Sequence, residues 1–216
     1  MLALARAQDV AANEQATVHV IDDDVSLRDA LELMLPSVGL GVRTYTSVQE
    51  FLDANAHGGP GCIVLDVRLP GISGLDFQSR SDGFGVHLPI VLMTGHSDVP
   101  MSVRAMKAGA VDFLPKPFRD QDMIDAVTAA IEHDRQQRTT DTAAAEVRVR
   151  FASLSPREQQ VMTLVTAGKM NKQVAFDLGL SEITVKTYRG AVMQKMAARS
   201  FADLVRMSDA LGQHGL

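Results

Sequence analysis

The 216-residue chain contains one cysteine, Cys62. A single thiol excludes an internal disulfide framework and a zinc site built on cysteines, and it suits a reducing, cytoplasmic setting. No run approaches the roughly 20 apolar residues that a membrane-spanning helix needs, so no membrane partner is expected. The opening MLALARAQDVAANEQ has too short an apolar stretch before Arg6 and Asp9 to be a secretory signal, and residues 1–15 are expected to form a disordered arm. Internal repeats and low-complexity tracts are also missing. Hydrophobic residues at 46% and charged residues at 22% fit a globular chain with room for one large domain or two small ones.

The net charge of −5 is unevenly spread. Residues 1–150 carry 13 Lys and Arg against 21 Asp and Glu, net −8, whereas residues 151–216 carry 8 against 5, net +3. A small basic C-terminal portion suits contact with a polyanion.

Through residue 134, short apolar runs alternate with amphipathic stretches, the pattern of a parallel sheet with helices on both faces. Strands are expected at 17–21, 41–45, 62–66, 89–93 and 111–114. Between them, Leu27, Ala30, Leu31, Met34 and Val38 give helical spacing, and so do Val99, Val103 and Met106. Together these predict a five-stranded doubly wound α/β domain. Residues 133–150, polar and without Gly or Pro, read as an extension of the fifth helix or a helical linker. Beyond them the pattern is all helical. SPRE at 155–158 is a capping box with Pro156 at the first helical position, and Val161, Leu164 and Val165 follow on one face.

In a doubly wound sheet, ligands bind past the carboxyl ends of the strands. Asp22 and Asp23, Asp66, Thr94 and Lys116 all fall at such ends. Each alone is ordinary for a helix cap or a solvated loop. Gathered at one rim, three carboxylates repel by about 4 kcal/mol per pair at about 4 Å and an effective dielectric of about 20, unless a cation or a proton relieves them. With no His or Cys among them, oxygen ligation points to a hard cation, Mg²⁺ above others. Lys116 and the Thr94 hydroxyl supply a point charge and a donor for a phosphoryl group. Such a site can transfer a phosphoryl group to an aspartate.

The stretches VIDDD, CIVLDVRLPGISGLDF and VLMTGHSDVPMSVRAMKAGAVDFLPKPF resemble the receiver domain of two-component response regulators of the NarL/FixJ type, over nearly all of residues 16–135. That resemblance implies a flavodoxin-like receiver over 16–134, phosphorylated on Asp66 by a sensor histidine kinase. Asp23, Asp66 and the backbone carbonyl of Arg68 would ligate Mg²⁺, with Asp22 acting through a coordinated water. Thr94 and Lys116 would hold the phosphoryl oxygens, Lys116–Pro117 would be cis, and Thr94 with Phe113 would form the switch. Arg68 and His96 would flank the path of attacking water. The exposed face of the fourth helix, with Val99, Met101 and Arg104, would dimerise on phosphorylation. Asp24 receives no ligand role and reads as surface charge.

In NKQVAFDLGLSEITVKTYRGAVMQKM two helices meet tightly at Gly179, with Ser181 capping the second, a helix-turn-helix pattern. Val185, Val192 and Met196 repeat at core spacing, and Lys186, Arg189 and Lys195 lie off that stripe. Residues 153–210 resemble a LuxR-type DNA-binding domain, which implies a small all-α helix-turn-helix domain over 153–216 after a linker at 135–152. Its recognition helix, about 182–197, would enter the major groove of promoter DNA. Lys186, Thr187 and Gly190 would face base edges, while Lys172, Thr184 and Arg189 would lie near the phosphate backbone. Gly190 stands where relatives often carry a long polar side chain. Residues 198–207 would form a final helix that often provides the dimer contact. The expected protein is a phosphorylation-dependent transcriptional regulator, not an enzyme, acting with RNA polymerase. Two rivals remain: a phosphatase of the haloacid dehalogenase type, in which Asp22 rather than Asp66 would be phosphorylated, and a DNA-binding protein whose receiver is an unphosphorylated scaffold.

Overall fold

The computed structural model describes residues 15–55, 58–95 and 99–212, which form two compact units divided between Gln137 and Arg138. Of the arm expected at 1–15, residues 1–14 lie outside the described residues, as do His96 and the Val99 side chain. No helix among those described is long and apolar enough to cross a membrane.

In the first unit, β1 (Thr17–Ile21), β2 (Gly41–Tyr45), β3 (Gly61–Asp66), β4 (Ile90–Thr94) and β5 (Asp112–Pro115) form one parallel sheet in the order β2-β1-β3-β4-β5. Every expected strand is present, shifted by no more than one residue at an end. The helices are α1 (Val25–Ser37), α2 (Val48–Ala54), α3 (Gly74–Gln78), α4 (Val99–Lys107) and α5 (Asp120–Ala152), with a 3₁₀ turn at Ser81–Phe84. The 33-residue α5 begins in the first unit and ends in the second.

The strands are apolar on both faces because helices cover both. Val18, Val20, Cys62, Val64, Val91 and Met93 meet Leu31 and Leu35 of α1 and Met123, Val127 and Ile131 of α5. Ile63, Leu65, Ile90 and Leu92 point the other way, onto Phe51 of α2, Phe77 of α3 and Ala105 of α4. Each fully buried side chain of this size contributes about 1.5–3 kcal/mol. Burial also pushes the Cys62 thiol up to about 12, with the Asp134 charge adding to it, so Cys62 is an unreactive core group. Asp134, itself buried, accepts the Gly61 N–H at 3.0 Å and ties α5 to the start of β3.

Two helical faces differ from the sequence expectation. On α1 the buried residues are Leu31 and Leu35, while Ala30 and Val38 are exposed; Val38 is already past the helix end. On α4, Val103 and Met106 are exposed at 45% and 47%, and Ala105 is buried with Met101 packed beside it. Met101, expected on the exposed face of this helix, packs inward instead, and Arg104 of that face is exposed.

The second unit adds α6 (Pro156–Thr166), α7 (Asn171–Leu178), α8 (Glu182–Lys195) and α9 (Phe201–Ala210). Ser155 and Glu158 form the capping box at the start of α6. Gly179, at φ 64°, ends α7 in a left-handed conformation that favours glycine, and Ser181 caps α8 two residues later. Val161, Met162, Val165, Val174, Val185, Val192, Met196 and Leu204 make the core.

Candidate functional site

Strand register gathers the rim. Ile21 pairs with Leu65 across β1 and β3, so the next residues, Asp22 and Asp66, emerge side by side where the chain order of the sheet reverses. Asp66 pairs with Met93, which puts Thr94 one step further on, and Thr94 pairs with Pro115, which puts Lys116 one step beyond β5. Thr94 and Asp22 are fully buried, Asp66 is buried and Asp23 is exposed.

Carboxylate oxygens of Asp22, Asp23 and Asp66 lie within 4.8 Å of one another. Lys116 Nζ reaches between two of them, at 2.5 Å from Asp22 Oδ2 and 2.9 Å from Asp66 Oδ2. The remaining oxygens meet backbone donors: the Asp24 N–H on Asp22 Oδ1 at 2.9 Å and the Arg68 N–H on Asp66 Oδ1 at 3.0 Å. Burial raises the Asp22 carboxyl above the usual range, and the Lys116 hydrogen bond opposes that without cancelling it. For Lys116, burial alone would lower the ammonium, but the hydrogen bonds it donates to both carboxylates outweigh it and hold it above its ordinary value. Three carboxylates against one ammonium leave two negative charges, and the donor set is oxygen only. An acidic cluster of this kind is compatible with Mg²⁺. The Lys116–Pro117 bond is cis.

Several contributors to the site were not apparent in the sequence. Asp24 is the N-cap of α1, its Oδ1 accepting the Ser26 N–H at 2.9 Å, so its place is structural and not loose surface charge. Arg28, one turn further along, donates to the Asp22 carbonyl at 2.6 Å. Gly74, at the start of α3, lies so close beneath Asp66 that a Cβ there would sit 2.2 Å from the Asp66 carbonyl oxygen and 3.0 Å from Val67 Cα. Both obstacles are backbone, so no rotamer relieves them. Gly74→Ala is expected to cost about 1–3 kcal/mol of stability, measured by urea unfolding. An unchanged midpoint would remove this constraint. Phe113 is half-buried and packs on the same core cluster as Met101.

In the second unit α8 presents the basic positions. Lys186, Thr187 and Gly190 are exposed on it, as is Lys172 on α7. A Cβ on Gly190 would meet nothing within 4 Å. Thr184 is half-buried, and its N–H is capped by Ser181 Oγ at 3.1 Å. Arg189 is engaged within the unit: Nη1 donates to Asn171 Oδ1 at 2.7 Å and the guanidinium lies 5.2 Å over the Phe201 ring, joining α7, α8 and α9. Lys195 donates to buried Glu158 at 2.7 Å, which lowers the Glu158 carboxyl and fastens α8 to α6.

A doubly wound parallel sheet with an acid and lysine rim, joined to a helix-turn-helix unit, defines a receiver attached to a DNA-binding domain. Comparison with known proteins agrees. Residues 18–128 match the response regulator receiver domain, and residues 152–208 match the bacterial regulatory proteins of the luxR family. Nodulation protein W of Bradyrhizobium diazoefficiens is 55% identical over 201 residues, covering 93% of this chain and 88% of that protein. Transcriptional regulatory protein FixJ of Azorhizobium caulinodans is 48% identical over 195 residues, 90% of this chain and 92% of the other. Among solved structures, response regulator StyR superposes with a TM-score of 0.77 at 42% identity, over 90% of this chain and 98% of that one. The chain belongs to the response regulators of the NarL/FixJ type, DNA-binding transcriptional regulators of two-component systems and not enzymes. Membership implies a histidine kinase partner and binding to DNA.

Proposed function

We propose that Asp66 is the residue phosphorylated by the partner kinase, and that its phosphorylation controls promoter binding by the C-terminal unit. The observation that carries this reading is the meeting of Asp22, Asp23 and Asp66 around the Lys116 ammonium. In the transfer, an Asp66 carboxylate oxygen forms a bond to phosphorus while the bond from phosphorus to the kinase histidine nitrogen breaks. The bonding pair stays with the imidazole. Lys116 turns from its carboxylate partners toward the phosphoryl oxygens, and the Thr94 hydroxyl donates to one of them. Asp23, Asp66 and the Arg68 carbonyl would hold Mg²⁺, with Asp22 reaching it through water; the ion supplies positive charge against the phosphoryl oxygens.

The product replaces one carboxylate charge by about −1.5 to −2. Thr94 and Phe113 relay that change to α4, whose exposed Val103 and Met106 add apolar area to a dimer contact beside Arg104. The receiver spans 16–134, a helical linker 135–152 and the DNA-binding domain 153–216. In the dimer, α8 of each copy enters a major groove with Lys186, Thr187 and Gly190 toward base edges. Lys172, Thr184 and Arg189 lie toward phosphates, and bound protein recruits RNA polymerase in the cytoplasm. Arg189 acts there largely by fixing α8 through Asn171 and Phe201.

Treating the chain with acetyl phosphate and Mg²⁺ is expected to tighten binding to a selected DNA duplex at least about tenfold at fixed salt, and to shift the protein from monomer to dimer in sedimentation. Equal affinity before and after quantitative phosphorylation would contradict control by the receiver.

A further inference from the structure

The side of α8 opposite its core stripe is chemically unusual. Val185, Val192 and Met196 are fully buried. Facing away from them, at spacings of three and four residues, stand Ile183, Lys186, Thr187, Gly190 and Gln194, all exposed. Ile183 is 79% exposed in the first turn of this face, a branched apolar side chain where solvation favours a polar one. The Thr187 hydroxyl donates to the Ile183 carbonyl at 3.2 Å, which ties its proton to the helix, and the exposed side chain carries a methyl beside it. Gly190 adds no side chain and leaves open space beside it. The outer face of α8 thus offers two apolar groups and a gap, with Lys186 and Gln194 as its long polar side chains.

In the major groove of B-DNA the one apolar group on a base edge is the thymine C5-methyl. We propose that Ile183 is a specificity-determining residue that reads a thymine methyl in each half-site, with the Thr187 methyl packed beside it. This inference rests on the reading of α8 as the recognition helix. The absence of a side chain at Gly190 belongs to the same arrangement: with no long side chain there to hold the helix away from the base edges, a short apolar contact from the first turn can close. Phe176 on α7 is more exposed still, at 88%, but it lies on a different helix and takes no part in this face.

The test begins with a duplex selected from a random-sequence pool by the full chain treated with acetyl phosphate and Mg²⁺. Each thymine is then replaced singly by deoxyuridine, which removes the methyl and keeps every hydrogen-bonding group. Wild type is expected to lose roughly 4-fold in affinity at one thymine per half-site, the amount that burying one methyl-sized group gives. Ile183→Ala alters both half-sites of the dimer, so it is expected to bind the parent duplex more weakly by roughly the square of that factor, about 16-fold, and to be indifferent to deoxyuridine at that position. Ile183→Val and Phe176→Ala should retain the penalty. The side chain is exposed, so each variant should match wild type in circular dichroism and thermal midpoint. If every deoxyuridine penalty persists undiminished in Ile183→Ala, the assignment of Ile183 is overturned while sequence recognition by α8 stands. If wild type enriches no sequence from the pool, recognition by α8 itself fails, and the inference fails with it.

Discussion

Asp66→Asn is expected to abolish phosphoryl uptake and to leave the first unit folded. The carboxylate stands at the end of β3, nearly buried, with one oxygen on the Lys116 ammonium and the other on the Arg68 N–H. An asparagine fits the same space and keeps an acceptor for one of those donors. Its neutral amide oxygen is too weak a nucleophile to take phosphorus from acetyl phosphate. Stability should change by no more than about 1 kcal/mol, because losing a charge-assisted hydrogen bond is offset by easing the repulsion among the three acids. Intact-mass measurement over a phosphorylation time course, with thermal unfolding followed by circular dichroism, checks both halves. A variant that unfolds would show that Asp66 holds the fold, and one that still takes up phosphate would place the acceptor elsewhere.

Lys116→Met separates positioning from acceptance. The ammonium is the one donor that touches both Asp22 and Asp66 in the described site, and removing it leaves fully buried Asp22 with the Asp24 N–H as its remaining side-chain partner. Burial already raises the Asp22 carboxyl, and without Lys116 it rises further, so the pocket holds a proton or a divalent cation more firmly than before. Mg²⁺ affinity near neutral pH is therefore expected to increase. The rate of phosphorylation is expected to fall roughly 100-fold, the effect of removing one preorganised donor from a developing oxyanion. Metal titration followed by a spectroscopic probe, set beside the phosphorylation rate, distinguishes this outcome from simple damage, which would weaken both. A rate within about twofold of wild type would deny Lys116 its place on the phosphoryl oxygens.

The five strands were legible because each is a short apolar run bounded by turn residues, and the rim followed because its residues lie at or just past strand ends that can be counted. Faces of helices were less legible. The α4 sequence offers apolar residues on two sides, and spacing alone favoured the larger Val103 and Met106 over small, fully buried Ala105. Asp24 carried a readable signal, an Asp immediately before the first helical residues, but in a run of three acids the capping role was hidden beside the ligand role. Contacts between distant residues left no local trace. Nothing near Arg189 in the sequence announces Asn171 or Phe201, and Lys195 looks like any solvated lysine until Glu158 is seen beneath it. Gly74 belongs to the same group, since only the folded chain brings its Cα against the Asp66 carbonyl.

Mapping the phosphoryl group after incubation with acetyl phosphate and Mg²⁺ tests the proposed site most directly. Rapid quenching, borohydride trapping of the acyl phosphate and peptide mass analysis should place the label on the segment Gly61–Leu69, at Asp66. A label at Asp22, with continuing release of inorganic phosphate from phosphate esters, would contradict the assignment.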